Sequence, residues 1–188
     1  MSLNKIRSSV ILSMMLLFCL ACNEENSIYR GYKCYFVFDM SLHPAPCHLT
    51  SAMGNTGHFL IVKAKLASGI RHIVTTRNYD HAEETVKLST VKENQTSCLL
   101  GANNAIIIGR SSYTGLIMAY EGQCANCLSD YGGTSYPLTW SDNGQQLCCD
   151  RCKRCYDVNN GAVASGAAGR QLYVYNAAVE GAVLRAWN

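Results

Sequence analysis

The chain has 188 residues, a formal net charge of +3, 48% hydrophobic residues and 15% charged residues. That balance excludes a disordered chain, and the lack of a long basic run argues against a nucleic-acid partner. Eleven cysteines point to disulfides in an oxidising compartment, to metal ligation, or to both.

Lys5 and Arg7 precede an apolar run over residues 10–21. A basic start followed by about a dozen apolar residues predicts an export signal, since crossing a bilayer takes about 20. Ala21 before Cys22 resembles a bacterial lipobox, which implies cleavage before Cys22 and a lipid anchor on its sulfur. Cys19 stands where that motif has an aliphatic residue, so a plain signal peptide is the alternative. The tract Asn23-Glu24-Glu25-Asn26-Ser27 resembles the surface-export signal of Bacteroidetes lipoproteins, or is a solvated tether. The expected organisation is a signal peptide over 1–21, a lipidated tether over 22–28 and one β domain over 29–188. The expected place is the cell envelope, at the outer membrane and exposed at the surface.

Residues 29–40 are rich in aromatic and β-branched side chains and predict a strand. Pro44 and Pro46 then mark a loop, and residues 49–53 one helical turn. Strands follow over 58–64 and 70–76, while 81–88 reads as strand or short helix. Ala105-Ile106-Ile107-Ile108-Gly109 is the short apolar run of a strand buried on both faces, with 116–120 as its hairpin partner. Residues 170–176 and 182–187, around a turn at Gly181, predict a terminal hairpin. Many short strands and no long helix of 3.6-residue period indicate an all-β barrel or sandwich.

Two C-x-x-C pairs carry the chemistry: Cys124 with Cys127, and Cys149 with Cys152. Each pair sets two thiolates at one tight turn, and two facing turns make a tetrahedral four-sulfur site for zinc or iron. Disulfides or a redox-active C-x-x-C are the alternatives. Cys148 and Cys155 compete as ligands, because Cys152 and Cys155 form a further C-x-x-C.

From Ile106 onward the order of features resembles a Rieske iron–sulfur domain. A strand hairpin leads to a first ligand loop (Cys124, Cys127) and then a second (Cys149, Cys152). Tyr156-Asp157, a Gly161 turn and a strand with Leu172 and Tyr175 follow. Tyr156-Asp157 stands four residues after Cys152, as Phe-Asp does after the family's histidine, and the resemblance thereby selects Cys149 and Cys152 over Cys155. It covers the C-terminal half and implies a Rieske-like small barrel or sandwich with a four-cysteine metal-binding subdomain, its loops at about 123–157. The chain departs from the family at both histidine positions, which are Cys127 and Cys152, and in its first loop, which is one residue longer. The family's proline loop is replaced by Ser165-Gly166-Ala167-Ala168-Gly169. Four thiolates would give a cluster more negative charge than the two histidines of a Rieske centre allow, and so a lower potential.

The cofactor expected is zinc, with [2Fe–2S] as the alternative. The export signal lacks the twin arginine behind which folded cluster proteins travel, and an unfolded chain can acquire zinc outside. Of the remaining residues, His43, Cys47 and His48 form a possible second ligand cluster, with a Cys34–Cys47 disulfide the stronger reading. Cys98 is expected to be a free thiol. Asp80, Glu83 and Glu84 read as a solvated face, and Lys153-Arg154 as an exposed basic pair. No phosphate loop or nucleophile elbow occurs. The functions expected are a lipid-anchored binding or accessory module, an electron carrier with a redox partner, or an envelope thiol-disulfide protein.

Overall fold

A computed structural model describes residues 27–188; the expected export signal and Cys22 lie outside the described residues. The fold is all-β, built from a large sheet and a small one. Strands of the first half are β1 (Cys34–Asp39), β2 (Phe59–Ala67), β3 (Ile70–Arg77), β4 (Glu83–Lys87), β5 (Leu99–Leu100) and β6 (Ala105–Arg110). Those of the second half are β7 (Ile117–Glu121), β8 (Leu138–Trp140), β9 (Gln146–Cys149), β10 (Cys155–Asp157), β11 (Val163–Ser165), β12 (Val174–Glu180) and β13 (Val183–Trp187). Among the described residues the α-helices are short: α1 (His48–Gly54), α2 (Val91–Gln95) and α3 (Ala125–Tyr131). Among the described residues no helix is long and apolar enough to cross a membrane.

The nine-stranded sheet runs β4-β3-β2-β6-β7-β12-β13-β1-β5 and curls until β5 touches β2. The four-stranded sheet runs β11-β10-β9-β8 and carries the second cysteine pair. Period-2 alternation divides the apolar side chains between two cores. Phe36, Phe38, Leu60, Val62, Ile106, Ile108, Leu184 and Ala186 fill the inside of the curled sheet. Phe59, Ile107 and Tyr120 point the other way and meet Leu138, Leu147, Tyr156 and Leu172 beneath the small sheet. The isoleucine run is apolar throughout because β6 lies between both cores.

Two contacts pin the small sheet to the large one. Asn78, 1% exposed, accepts from the Phe59 N–H and donates to the Gly57 and Gly144 carbonyls, each at 3.0 Å. The Trp140 indole N–H donates to the Thr76 carbonyl at 3.1 Å. Gly144 has φ +65°, and a Cβ there would collide with the Asn78 carbonyl, so this close approach requires glycine.

Residues 83–87 form a strand, settling the ambiguity over 81–88. The strand expected over 170–176 begins later, at Val174, because its first residues serve the small sheet instead. There the Arg170 N–H donates to Asn126 Oδ1, and the Leu172 N–H to the Gly161 carbonyl. α2 has a capping box, with Thr90 and Glu93 bonding each other's backbone N–H. Glu93 also takes His43 Nε2 at 2.6 Å.

Glu121 is fully buried at the end of β7. Its Oε2 accepts from the Ala102 N–H (2.8 Å) and the Tyr175 hydroxyl (2.7 Å), while Oε1 has no partner among the described residues. Burial pushes its carboxyl up to about 7, against the opposing pull of those hydrogen bonds. Between an unfolded carboxyl near 4.3 and about 7, the folded chain holds a proton that the unfolded chain releases. Stability therefore falls as pH rises through that window, by on the order of 3 kcal/mol in all. Glu121→Gln is expected to flatten this slope, as measured by urea unfolding at a series of pH values.

Candidate metal centre

Cys124 ends the segment after β7 and stands at the N-cap of α3, its N–H bonded to the Tyr136 carbonyl at 2.8 Å. Cys127 lies in the first turn of α3, where the helical rise returns its side chain to the same side. Cys149 ends β9, and Cys152 lies in the turn before β10, closed by the Lys153 N–H to the Cys149 carbonyl at 2.9 Å. The four Sγ atoms all lie within 4.8 Å of one another. The contacts between the two turns are Cys124 Sγ to Cys152 Sγ at 3.6 Å and Cys127 Sγ to Cys149 Sγ at 3.7 Å. Among the described residues this is the one group of histidine, cysteine or acidic side chains spaced to hold a metal ion.

Strand alternation explains which cysteines stand apart. Cys148 and Cys149 are neighbours on β9, so they face opposite sides of the small sheet. Cys149 is 2% exposed and turns into the four-sulfur group. Cys148 turns away and forms a disulfide with Cys155, which is directly opposite it on β10. That cross-strand bond ties the hairpin bearing Cys149 and Cys152. The sequence carried no separate signal for this pairing, because Cys155 also reads as a C-x-x-C partner of Cys152 and Cys148 belongs to no such pair.

The surroundings support thiolates unevenly. Burial pushes the Cys124 and Cys127 thiols up, and neighbouring thiols push Cys127 further. At Cys152 burial also pushes up, but the Arg154 N–H, the Arg154 guanidinium and neighbouring thiols outweigh it and bring the thiol down to about 7. Arg154 is held in place by the Ala167 and Ala168 carbonyls at 2.9 and 3.1 Å. The expected basic pair is thus split: Arg154 serves the site, and Lys153 is exposed at φ +59°.

Tyr156, fully buried, packs beneath the group. Its hydroxyl accepts from Asn126 Nδ2 at 2.8 Å and donates to Cys124 Sγ at 3.1 Å. Asn126 also bonds both the N–H and the carbonyl of Arg170. Tyr156→Phe removes the donor to sulfur and one partner of Asn126. Metal affinity is expected to fall about tenfold and stability by about 1–2 kcal/mol, read by competition with a chromogenic chelator and by urea unfolding.

The other candidate clusters do not assemble. Cys34 and Cys47 are buried free thiols, so the expected disulfide between them is corrected. Cys34 lies near Glu121 and Cys98, with burial pushing its thiol up to about 12, whereas Cys47 heads α1 beside Glu84. His43 is taken by Glu93, and His48 Nδ1 by the Thr75 hydroxyl at 3.0 Å, which dissolves the possible second ligand set. Glu84 is not fully solvated; it accepts the His48 N–H at 2.8 Å. Cys98 is a free, half-buried thiol.

No protein-family model matches the chain, and no curated protein matches it in sequence. Among solved structures, the chain is similar to a ferredoxin of carbazole 1,9a-dioxygenase from Nocardioides aromaticivorans IC177. The TM-score is 0.32 at 13% identity, over 48% of this chain and 79% of the ferredoxin.

Proposed function

We propose that the protein is a lipid-anchored envelope module in which Cys124, Cys127, Cys149 and Cys152 hold one structural zinc ion. The carrying observation is the spacing of the four Sγ atoms, all within 4.8 Å of each other. Four sulfurs on one ion at about 2.3 Å stand about 3.8 Å apart at tetrahedral angles. The contacts of 3.6 and 3.7 Å between the turns fit that spacing. Two irons bridged by sulfide would spread the sulfurs of opposite irons further. Zinc would supply a redox-silent cross-link between α3 and the small sheet, whose short strands bury little apolar surface of their own.

The second reading is an electron carrier with an all-cysteine [2Fe–2S] cluster, in a Rieske-like scaffold and with a redox partner in the envelope. It is favoured by the half-exposed Cys152 and by the Tyr156 hydroxyl on Cys124, since hydrogen bonds to sulfur tune a cluster's potential. The thiol-disulfide reading is weaker, because each C-x-x-C faces the other instead of opening to a substrate.

Elemental analysis with an absorption spectrum tests these readings on protein taken from its native envelope. The zinc reading predicts one zinc per chain and a colourless protein. Iron with acid-labile sulfide and visible absorption would replace it with the electron carrier. Metal-free protein with two reactive thiols would favour the redox protein.

A further inference from the structure

Three exposed apolar side chains stand in one row across the large sheet. Tyr35 on β1 is directly opposite Leu99 on β5 and directly opposite Trp187 on β13. They are 45%, 48% and 36% exposed. Cross-strand partners share a face, so the three form one continuous surface. Grooves of about 370 and 520 Å³ flank it, the first lined by Val37, Arg185 and Trp187, the second by Lys33, Tyr35 and Leu99. The Arg185 guanidinium lies 3.6 Å from Glu180. Other exposed apolar residues, such as Leu66 and Tyr113, have no such cross-strand row.

The row lies where the chain enters the fold. Asn188, next to Trp187, donates to the carbonyls of Tyr29 and Tyr32 at 2.8 and 2.7 Å, and accepts from the Cys34 N–H at 3.1 Å. Tyr29 is seven residues from Cys22, a reach of at most about 25 Å even when fully extended. An acyl anchor on Cys22 would therefore hold this end of the domain against the bilayer. Tyr and Trp belong at the level of lipid headgroups, with apolar ring and polar edge both satisfied. Exposed Arg30 and Lys33 lie between the tether and β1, where headgroup phosphates would meet them.

We infer that Leu99, Tyr35 and Trp187 form a lipid-facing surface that seats the domain on the membrane interface; this rests on the anchor reading of Cys22. The anchor supplies the affinity, and the row sets the orientation.

The test uses the full lipidated protein in vesicles of phosphatidylethanolamine and phosphatidylglycerol, with and without brominated acyl chains, which quench nearby tryptophan. The chain has two tryptophans, and Trp140 is half-buried, with its indole bonded to Thr76. Bromination is expected to lower emission by about 1.5- to 2-fold, as for an interfacial tryptophan. Trp187→Phe should abolish that difference while the protein stays bound through its acyl chains. Mass analysis of Cys22 accompanies the measurement. Acylated, vesicle-bound protein whose emission ignores bromination overturns the inference and leaves the anchor reading standing. An unmodified Cys22 overturns both. Trp187 shielding that grows with protein concentration without lipid assigns the row to a second copy and overturns the lipid surface.

Discussion

With the proposed zinc bound, Cys149→Ser is expected to release it and lower stability by on the order of 5 kcal/mol, a part of what a whole structural zinc site contributes. For a chain of this size that is a fall in Tm of about 15 °C. Cys149 is 2% exposed, between Cys127 and the apolar side chains beneath the small sheet. A serine hydroxyl there ligates zinc poorly and leaves a buried polar group among thiols. The small sheet has strands of three or four residues, so it would depend on a zinc cross-link more than the large sheet would. Calorimetry with and without a chelator checks this. The chelator should lower the wild-type Tm and leave the serine variant unchanged. Cys98→Ser, at a half-buried thiol outside the site, should cost no more than about 1 kcal/mol and retain the metal.

Asn78→Ala carries the second largest effect, about 3–4 kcal/mol, and acts through the join between the sheets. The side chain makes three hydrogen bonds in a buried position, to Phe59, Gly57 and Gly144. Truncation leaves a buried N–H and two carbonyls without that partner and opens a cavity at the join between the sheets. Gly144→Ala attacks the same join from the other side, since its Cβ would strike the Asn78 carbonyl. Both variants should loosen the second cysteine turn against the first. The expected signature is metal transfer to a chelator accelerated at least about tenfold at a temperature where the large sheet remains folded. Equal loosening of both sheets, seen by amide hydrogen exchange, would contradict the separation of the two cores.

Most of the large sheet was legible because its strands are long and patterned, whereas β5, of two residues, was not read and β4 was left between strand and helix. The isoleucine run of β6 announced burial on two faces, and the Gly181 turn announced the last hairpin. The four thiols of the site were legible through C-x-x-C spacing, and the pair Cys149 and Cys152 was preferred to Cys155 through Tyr156-Asp157. What turns Cys148 away from the site is strand alternation, which the sequence did not display because β9 has only four residues. The remaining small strands were hidden for the same reason: three residues carry no period. The Cys34–Cys47 pairing failed because nearness along the chain is a poor guide across a curled sheet, where β5 brings Cys98 toward Cys34 instead. The late start of β12 reflects a competition no local pattern reveals, since Arg170 and Leu172 are recruited by Asn126 and Gly161.

X-ray absorption at the metal edge, on protein isolated from its native envelope, tests the single-ion centre most directly. The account predicts zinc with one shell of four sulfurs at about 2.3 Å and no neighbouring metal. A short metal–metal vector at an iron edge, or a shell containing nitrogen or oxygen, would contradict it.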